Sequence, residues 1–334
     1  MKHANIAIFI PHEGCPNQCS FCNQKKITGQ NVAPTANQVF DILENASKNL
    51  NTNPQNAQIA FFGGSFTAID ENYMVSLLKV ASKFVTDKKF NGIRISTRPD
   101  AINSRILDIL KGYNVKAIEL GAQSMCDDVL KANQRGHTSF DVKFASKLIK
   151  DAEFELGLQM MTGLYKSSIE NDYYTANEVV KLKPDTIRIY PTVVMKDTEL
   201  EKLYNGGEYL PPSFEDTVSL CAKLIVLFEQ ENNIPVIRLG LHDEKILRDN
   251  MVAGVFHPAF SEICQSRVLF NKVLNRLKNL NILSGNIIIK INPSDVSKFI
   301  GQRRANLSRF CELGYSIKLK QDKSVKENEF LIEI

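Results

Sequence analysis

The fold is decided by two stretches near the start of the chain, Ile6-Ala-Ile-Phe-Ile10 and, shortly after it, Cys15-Pro-Asn-Gln-Cys19-Ser-Phe-Cys22. Three of the seven cysteines fall within eight residues, spaced C-x3-C-x2-C. Loops this short give poor geometry for disulfides, whereas thiolates at short spacing suit a metal. Zinc normally takes four ligands, and no second short-spaced pair follows, so three thiolates favour a four-iron cluster with one iron left open. The alternative, a chance cluster of buried cysteines, is disfavoured because Pro16, Asn17 and Gln18 mark an exposed loop.

Length and composition bound the class of protein. The chain has 334 residues, 43% of them hydrophobic, which is enough for a large core and a smaller appendage. Its net charge of +4 is too small to imply a nucleic-acid partner by itself. No apolar run reaches the length of a membrane span, and the run at 6–10 is too short for a secretion signal. Because the odd number of cysteines also favours a reducing compartment, we expect a cytoplasmic protein with no membrane partner.

Between residues 1 and 190, short apolar strands alternate with amphipathic helices. The pattern predicts six β-α units in a row and therefore a parallel sheet, either an open doubly wound sheet or a partial barrel. The predicted strands span 6–10, 58–62, 92–96, 115–120, 155–161 and 186–190, and the predicted helices span 36–49, 70–85, 104–110, 140–152 and 168–182. In a barrel the chemistry lies at the carboxyl ends of the strands, and the cysteines follow the first strand at that end.

Beyond residue 190 the alternation stops. Residues 191–212 are predicted to be irregular, and they are followed by a long helix over 214–231, a strand over 235–239 and a helix over 261–280. After a linker at 284–286, the remaining residues predict a strand, two helices and two strands, which is a small α+β module of its own. We predict three domains: a partial (β/α)6 TIM-like barrel over 1–200, a barrel-completing extension over 201–283 and the small module over 284–334.

Glycines and polar side chains follow successive predicted strands at one rim of the barrel. Gly63-Gly64-Ser65 follows the second strand, where two glycines would let the backbone approach a ligand closely. A tight turn is the alternative explanation for the glycines alone. The later strands contribute Ser96, Gln123 and Gln159, with Arg135 further on. Polar residues beside apolar strands usually face a polar site, so we expect these side chains to share one.

With these residues in place, the chain resembles the radical S-adenosylmethionine superfamily. The cysteine motif with Phe21 before its last cysteine, and Gly63-Gly64-Ser65, match the motifs of that family. More narrowly, residues 5–270 resemble the radical domain of Elongator's catalytic subunit. This narrower resemblance rests on Thr97-Arg-Pro-Asp100, Glu119-Leu-Gly-Ala-Gln-Ser124, Arg135-Gly-His-Thr138, Ile189-Tyr-Pro-Thr192, Lys196-Asp-Thr-Glu-Leu200 and Gly254-Val-Phe-His-Pro-Ala-Phe260. Too few residues follow for Elongator's acetyltransferase domain, so we do not expect the chain to use acetyl-CoA.

The resemblance implies the cofactors and the site residues. It implies a [4Fe-4S] cluster, S-adenosylmethionine bound at its open iron, and a low-potential electron donor such as a flavodoxin or ferredoxin. Reductive cleavage of S-adenosylmethionine would give a 5′-deoxyadenosyl radical that abstracts hydrogen. The implied metal ligands are Cys15, Cys19 and Cys22, and the implied cofactor-binding residues are Phe21, Gly63, Gly64, Ser65, Ser96, Gln123, Arg135 and Gln159. The three cysteines, Tyr190 and His257 are the candidate catalytic residues, although His257 could equally be a core histidine.

Residues 284–334 resemble a KH domain, a module whose G-x-x-G loop clamps a nucleic-acid backbone. Gly301-Gln-Arg-Arg304 stands at the place of that loop, between two predicted helices. Residues 285–320 hold seven lysines or arginines and two acids. The predicted phosphate-facing surface comprises Lys298, Gly301, Arg303, Arg304 and Arg309. A small cap with a solvated basic face is the alternative.

Two classes of enzyme remain open. In the first, the chain is a radical enzyme that modifies RNA, with tRNA as the expected partner and the tail holding it. In the second, it acts on a small molecule, as the similar oxygen-independent coproporphyrinogen oxidases do, and the tail is a lid. A cluster-bearing protein without activity is a third possibility, which the intact cofactor motifs disfavour. The oligomeric state, the modified atom and the transferred group do not follow from the sequence.

Overall fold

The computed structural model describes residues 4–11, 14–15, 18–23 and 32–333. The chain divides into two compact units that alternate along the sequence. The first unit comprises Met1–Pro212 and Ile234–Phe256, and the second comprises Ser213–Asn233 and His257–Ile334. The division into three domains expected from the sequence stays a prediction.

The first unit is built on a parallel half-barrel. Its strands are β1 (Ala4–Ile10), β2 (Ala57–Gly63), β3 (Gly92–Thr97), β4 (Val115–Gln123), β5 (Glu155–Thr162), β6 (Thr186–Pro191), β7 (Val193–Met195), β8 (Val236–Leu239) and β9 (Met251–Gly254). Seven of these described strands form one sheet in the order β1-β2-β3-β4-β5-β6-β8, and every pair in it is parallel. This sequential order belongs to a barrel, because a doubly wound sheet reverses its order at a switch point. The partial barrel predicted from the sequence is confirmed, and its seventh strand comes from the predicted extension.

Helices connect most of the strands and make up much of the second unit. The described helices are α1 (Ala36–Lys48), α2 (Glu71–Thr86), α3 (Ser104–Gly112), α4 (Asp127–Ala132), α5 (Ser139–Asp151), α6 (Ile169–Lys181), α7 (Glu199–Asn205), α8 (Phe214–Ile225), α9 (Lys245–Asn250), α10 (Phe260–Asn279), α11 (Val296–Ile300) and α12 (Ala305–Glu312). Thr35, Asp70 and Ser168 begin α1, α2 and α6 by accepting a backbone N–H of the first turn. None of these helices has the length and apolar character needed to cross a bilayer.

The prediction of irregular structure over 191–212 is wrong, since that stretch contains β7 and α7. β7 pairs antiparallel with β9 in a ribbon separate from the half-barrel. Thr198 caps α7 by accepting the amide of Glu201. These elements are three to seven residues long, too short to display a hydrophobic period.

The second unit combines the described helices α8, α10, α11 and α12 with a small mixed sheet. Its strands are β10 (Gly285–Ile291), β11 (Tyr315–Gln321) and β12 (Phe330–Glu333), with β10 parallel to β11 and antiparallel to β12. Phe299 of α11 and Phe310 of α12 pack with Phe270 of α10 in one apolar core. The predicted order of strand, helix, helix, strand, strand is confirmed. The linker predicted at 284–286 is shorter than expected, because β10 already begins at Gly285.

Candidate active site

The cysteine loop, residues 15–22, follows β1 at the carboxyl end of the half-barrel. Cys15, Cys19 and Cys22 line the same pocket, and none of the chain's seven cysteines is joined in a disulfide. Among the described residues, no three His, Cys, Asp or Glu side chains surround a point that could hold a single metal ion. A four-iron cluster has a separate corner for each thiolate, so its ligands stand farther apart than those of one ion. Three thiols in one pocket are the ligand set that a four-iron cluster with one open iron needs.

Ser20 and Asn133 anchor the loop to the barrel. The amide of Ser20 donates to the carbonyl of Asn133 at 3.1 Å, and its hydroxyl donates to Asn133 Oδ1 at 2.8 Å. The Asn133 side chain is fully buried and donates to the carbonyls of Val129 and Tyr165. In turn, the amide of Leu200 donates to the carbonyl of Ser20 at 2.7 Å. Because each of these groups is already hydrogen-bonded, the described part of the loop is held in place from both sides.

Bare backbone forms the wall of the pocket after β2. The amide of Gly64 donates to the carbonyl of Ile10 at 2.8 Å, and both Gly63 and Gly64 line the pocket. Gly63 has a φ of 115°, and a β-carbon there would lie 2.6 Å from the Ile10 oxygen. Ser65 is fully buried instead, with its hydroxyl bonded to Thr97 Oγ1 at 2.8 Å. Glycine is thus required by geometry at position 63, whereas the role predicted for Ser65 in binding the cofactor stays a prediction.

Arg135 and Gln123 bring polar groups to the cysteines from β4 and the segment after it. Arg135 Nη1 donates to Cys19 Sγ at 3.0 Å, while its Nη2 donates to the carbonyl of Gly121 at 2.6 Å. A bulge in the pairing of β4 with β5 lies between Gly121 and Gln123, and Gln123 adopts a φ of 64°. Bulges commonly re-aim side chains beside active sites. Gln123 Oε1 is buried without a hydrogen-bond partner, so it can accept one from a bound group.

Gln159 is held in place by a buried network of charged side chains. Its amide nitrogen donates to Glu119 Oε2 at 3.0 Å and to Ser96 Oγ at 3.3 Å. Glu119 is only 1% exposed, and it accepts hydrogen bonds from Arg94 at 3.1 Å and from Arg188 at 2.8 Å. A carboxylate this deep needs such partners. The network thus fixes the amide of Gln159, and both Ser96 and Gln159 line the pocket.

Positive charge surrounds the thiols. Arg98 lines the pocket, and its Nε and Nη2 donate to Asp100 at 2.9 and 2.8 Å, but its buried Nη1 has no partner. Burial raises the pKa of Cys15, and the neighbouring Cys19 raises it further, while Arg98 and Arg135 act in the opposite direction. Thiolate ligands and an anionic cluster both gain from nearby guanidinium groups. The sequence places Arg98 at this rim, in the Thr97-Arg-Pro-Asp100 motif at a strand end, but does not single it out as a site residue.

The residues of this pocket fit an iron–sulfur cluster with S-adenosylmethionine. Three thiols and a bare glycine wall line it, and three of its lining residues carry an unpartnered buried polar atom: Arg98 Nη1, Gln123 Oε1 and Arg135 Nε. The pocket brings together Cys15, Cys19, Phe21, Cys22, Gly63, Gly64, Ser96, Gln123, Arg135 and Gln159, and it adds Gln18, Thr97, Arg98 and Gly121, which sequence reasoning did not assign to the site. The individual roles of these residues stay predictions.

Tyr190 and His257 lie elsewhere. Tyr190 is opposite Met161 in the pairing of β6 with β5 and is not among the described residues that line the pocket. Burial raises its pKa, which the adjacent Arg188 opposes. His257 belongs to the second unit, where its Nδ1 accepts the amide of Ala259 at 3.0 Å and its ring meets Phe214 edge to face. The catalytic roles expected for both residues stay predictions.

The basic residues Lys298, Arg303 and Arg309 of the tail line two different clefts. Lys298 donates to Asp295 and Asn328, and it lines a different cleft from Arg303 and Arg309. Arg303 and Arg304 are exposed and have φ angles of 52° and 62°, in the left-handed region. The prediction that Lys298, Gly301, Arg303, Arg304 and Arg309 bind nucleic acid remains untested.

Comparison with known proteins agrees with this geometry. Residues 9–173 match the family model described as the radical SAM superfamily, and residues 184–269 match the one described as the radical SAM C-terminal domain. The human Elongator complex protein 3 is 29% identical over 243 residues, which cover 66% of this chain and 43% of the human protein. The tRNA uridine(34) acetyltransferase of Methanocaldococcus jannaschii is 25% identical over 257 residues, covering 65% of this chain and 47% of that protein.

A solved structure shows the same fold. The archaeal Methanocaldococcus infernus Elp3 with its residues 1–46 deleted superposes with a TM-score of 0.62 at 20% identity, covering 84% of this chain and 64% of that chain. The chain spans less than half the length of the human and Methanocaldococcus jannaschii relatives. The two family matches together extend over most of the chain and include the cysteine loop and the pocket-lining strands. The chain therefore belongs to the radical S-adenosylmethionine superfamily, whose members use a [4Fe-4S] cluster and S-adenosylmethionine, and it is related to Elp3.

Proposed function

We propose that this radical enzyme acts on tRNA and that a uridine is the base it modifies. The observation that carries the proposal is the alignment, over 65% of this chain, with a protein named as a tRNA uridine(34) acetyltransferase. The basic tail supports it, because neutralising phosphates with lysine and arginine is the main source of affinity for RNA. Since the chain spans less than half of that relative, the proposal covers the radical reaction and leaves the transferred group open.

In this proposal the pocket residues hold and orient the cofactors. When bound, the cluster and S-adenosylmethionine supply a one-electron cleavage of the sulfonium carbon–sulfur bond. Cys15, Cys19 and Cys22 would be the cluster ligands, and the bare backbone at Gly63 would leave room for the methionine portion. Arg135, which donates to Cys19 Sγ, would stabilise negative charge on that side of the cluster.

Two glutamines would orient the bound cofactor. Gln123 offers its unpartnered Oε1 to an N–H group, and Gln159 has its amide nitrogen already committed to Glu119 and Ser96. Because that nitrogen is committed, the orientation of the Gln159 side chain is set before the cofactor binds. The surrounding strands are apolar and buried, which would exclude water from a reactive radical. A low-potential donor, such as a flavodoxin or ferredoxin, would supply the electron.

Comparing tRNA nucleosides from a deletion strain and its parent by mass spectrometry tests the proposal. We expect at least one modified uridine to disappear in the deletion strain and to return with the wild-type gene. A Cys19→Ala gene should fail to restore it, whereas Cys311→Ala, at an exposed cysteine outside the loop, should succeed. Identical nucleosides in both strains would contradict a tRNA substrate. If the purified protein still cleaved S-adenosylmethionine, that result would favour a small-molecule substrate.

A further inference from the structure

The second unit contains a cleft whose charge is mostly positive. It is lined from the first turn of α8, from α10 and from the turn between α11 and α12. Three arginines, Arg267, Arg303 and Arg309, line it together with a single carboxylate, Glu215. His257 lies in the same cleft. The cleft therefore carries an excess of positive charge that its own residues do not balance.

Glu215 is shared between two of these arginines. Arg267 Nη2 and Arg309 Nη2 both bond to its carboxylate, the latter at 3.0 Å. Arg267 is only 7% exposed, and its buried Nε has no partner. Burial lowers the pKa of Arg309, and the nearby Arg267 lowers it further, while Glu215 raises it. Two guanidinium groups are thus held close together by one carboxylate, with a buried donor left over.

The turn between α11 and α12 is fixed against α10. The side-chain amide of Asn306 donates to the carbonyl of Ser266 at 3.0 Å and to its hydroxyl at 2.9 Å. Gly301 has a φ of 75°, and a β-carbon there would lie 2.9 Å from Ser266 Oγ. Arg303 is then held at a φ of 52°, which is costly for a residue other than glycine. This packing directs the turn to the α10 side, where Arg303 joins Arg267 in one cleft.

The start of α12 lies at the same place. Its preceding residue, Arg304, provides no side-chain cap, and the first residues of the helix, Ala305 and Asn306, line the cleft, although the amide of Ala305 already donates to the carbonyl of Gln302. The partial positive charge at a helix start favours a negatively charged ligand. A carboxylate would duplicate what Glu215 already supplies. A phosphate carries more charge and more acceptor oxygens, and guanidinium groups bind it in a bidentate manner.

We propose that this cleft binds a phosphate group of an RNA backbone, with Arg267, Arg303 and Arg309 as its cationic ligands and Glu215 as the carboxylate that the phosphate displaces. Glu215 is suited to that exchange because its side chain is 58% exposed, whereas Arg267 is buried and stays in place. The residues of the cleft are enough to infer a phosphate ligand, and only the assignment of that phosphate to RNA rests on the proposed function. Lys298, which is paired in another cleft, takes no part.

Binding of a labelled tRNA transcript to the full chain, with its cluster reconstituted, tests this site. Arg309→Gln should weaken binding about tenfold and lower the salt dependence by about one counterion. Glu215→Gln should strengthen binding about tenfold, because it releases two guanidinium groups. The matched controls are Arg276→Gln and Glu231→Gln, which make the same charge changes at exposed positions outside the cleft. They should alter affinity by less than about twofold, since they remove no phosphate contact.

A second measurement separates this inference from the proposed function. Inorganic phosphate, compared with chloride at equal ionic strength, should raise the Tm of the wild type and of Glu215→Gln more than that of Arg309→Gln. A rise in Tm with phosphate, but no binding of tRNA, would support a phosphate site in the cleft and contradict RNA as the source of that phosphate. If tRNA bound, but neither cleft variant changed the affinity more than its matched control did, the phosphate site in the cleft would be overturned. The proposal of a tRNA substrate would stand. No response to either ligand would overturn both.

Discussion

Replacing Glu119 by glutamine should destabilise the first unit strongly, although it removes no atoms. Glu119 is 1% exposed and its carboxylate meets Arg94 at 3.1 Å and Arg188 at 2.8 Å. The substitution leaves the buried Arg188 without a counter-charge and leaves Arg94 with only the half-exposed Glu155. Breaking a buried pair by neutralising one partner typically costs about 3–5 kcal/mol. We therefore expect the free energy of unfolding to fall by roughly that amount.

Glu155→Gln is the matched control, because Glu155 pairs with the same Arg94. Its carboxylate lies 3.2 Å from Arg94 Nη2, but its side chain is 49% exposed. Exposed pairs contribute about 0–1 kcal/mol, so this variant should unfold almost like the wild type. Both variants replace a carboxylate that pairs with Arg94 by an uncharged amide. They differ in how deeply the changed side chain is buried.

Urea unfolding of the reduced protein, followed by far-UV circular dichroism, measures both variants. Glu119→Gln should shift the midpoint to lower urea, while the slope with urea stays near that of the wild type. It should also weaken binding of S-adenosylmethionine to the reconstituted protein, because Gln159 loses an anionic acceptor. Equal midpoints for Glu119→Gln and Glu155→Gln would refute the reasoning, since burial would then have no effect on what the pair contributes.

Three further predictions concern other parts of the pocket. Gly63→Ala should cost more stability in urea unfolding than Gly207→Ala, by roughly 1–3 kcal/mol, because both glycines have positive φ but only Gly63 has backbone within 4 Å of the added carbon. Cys19→Ala should abolish the cluster absorption near about 400 nm after reconstitution, and Cys311→Ala should retain it. Burial and Arg135 lower the pKa of His137 to about 4. As the pH drops, the unfolded chain therefore takes up a proton at His137 before the folded chain does. The free energy of unfolding should fall by up to roughly 3 kcal/mol between about pH 6.5 and pH 4. This slope is best measured in an Asp172→Asn background, because burial raises the pKa of Asp172 to about 6 and its contribution changes in the opposite direction with pH. Adding His137→Gln should reduce the slope, and His242, whose pKa burial also lowers, should account for part of what is left.

The strands of the half-barrel could be predicted because parallel strands buried on both faces read as continuous apolar runs. β4 runs three residues past its predicted end, since the bulge at Gly121–Gln123 lies beyond the apolar run. α4 and α9, with six residues each, have no periodic pattern to detect. The positions of Gln123 and Arg135 followed from their motifs, but the bond from Arg135 to Cys19 depends on folding that joins residues 116 positions apart.

The buried charges show why the rest of the site could not be predicted from the sequence. Arg94, Glu119 and Arg188 lie on three different strands, and locally each is a charged residue in an apolar run. Such a residue reads equally well as the end of a strand or as an exposed position, because only the register between strands reveals that the charges meet. Register places Glu119 beside Ser96 on one side and beside Gly157 on the other. A β-carbon at Gly157 would lie 2.8 Å from the Glu119 side chain, so the strand next to the glutamate must leave it space. The polar support for Gln159 is therefore a property of the assembled sheet, and any residue larger than glycine at position 157 should disturb it.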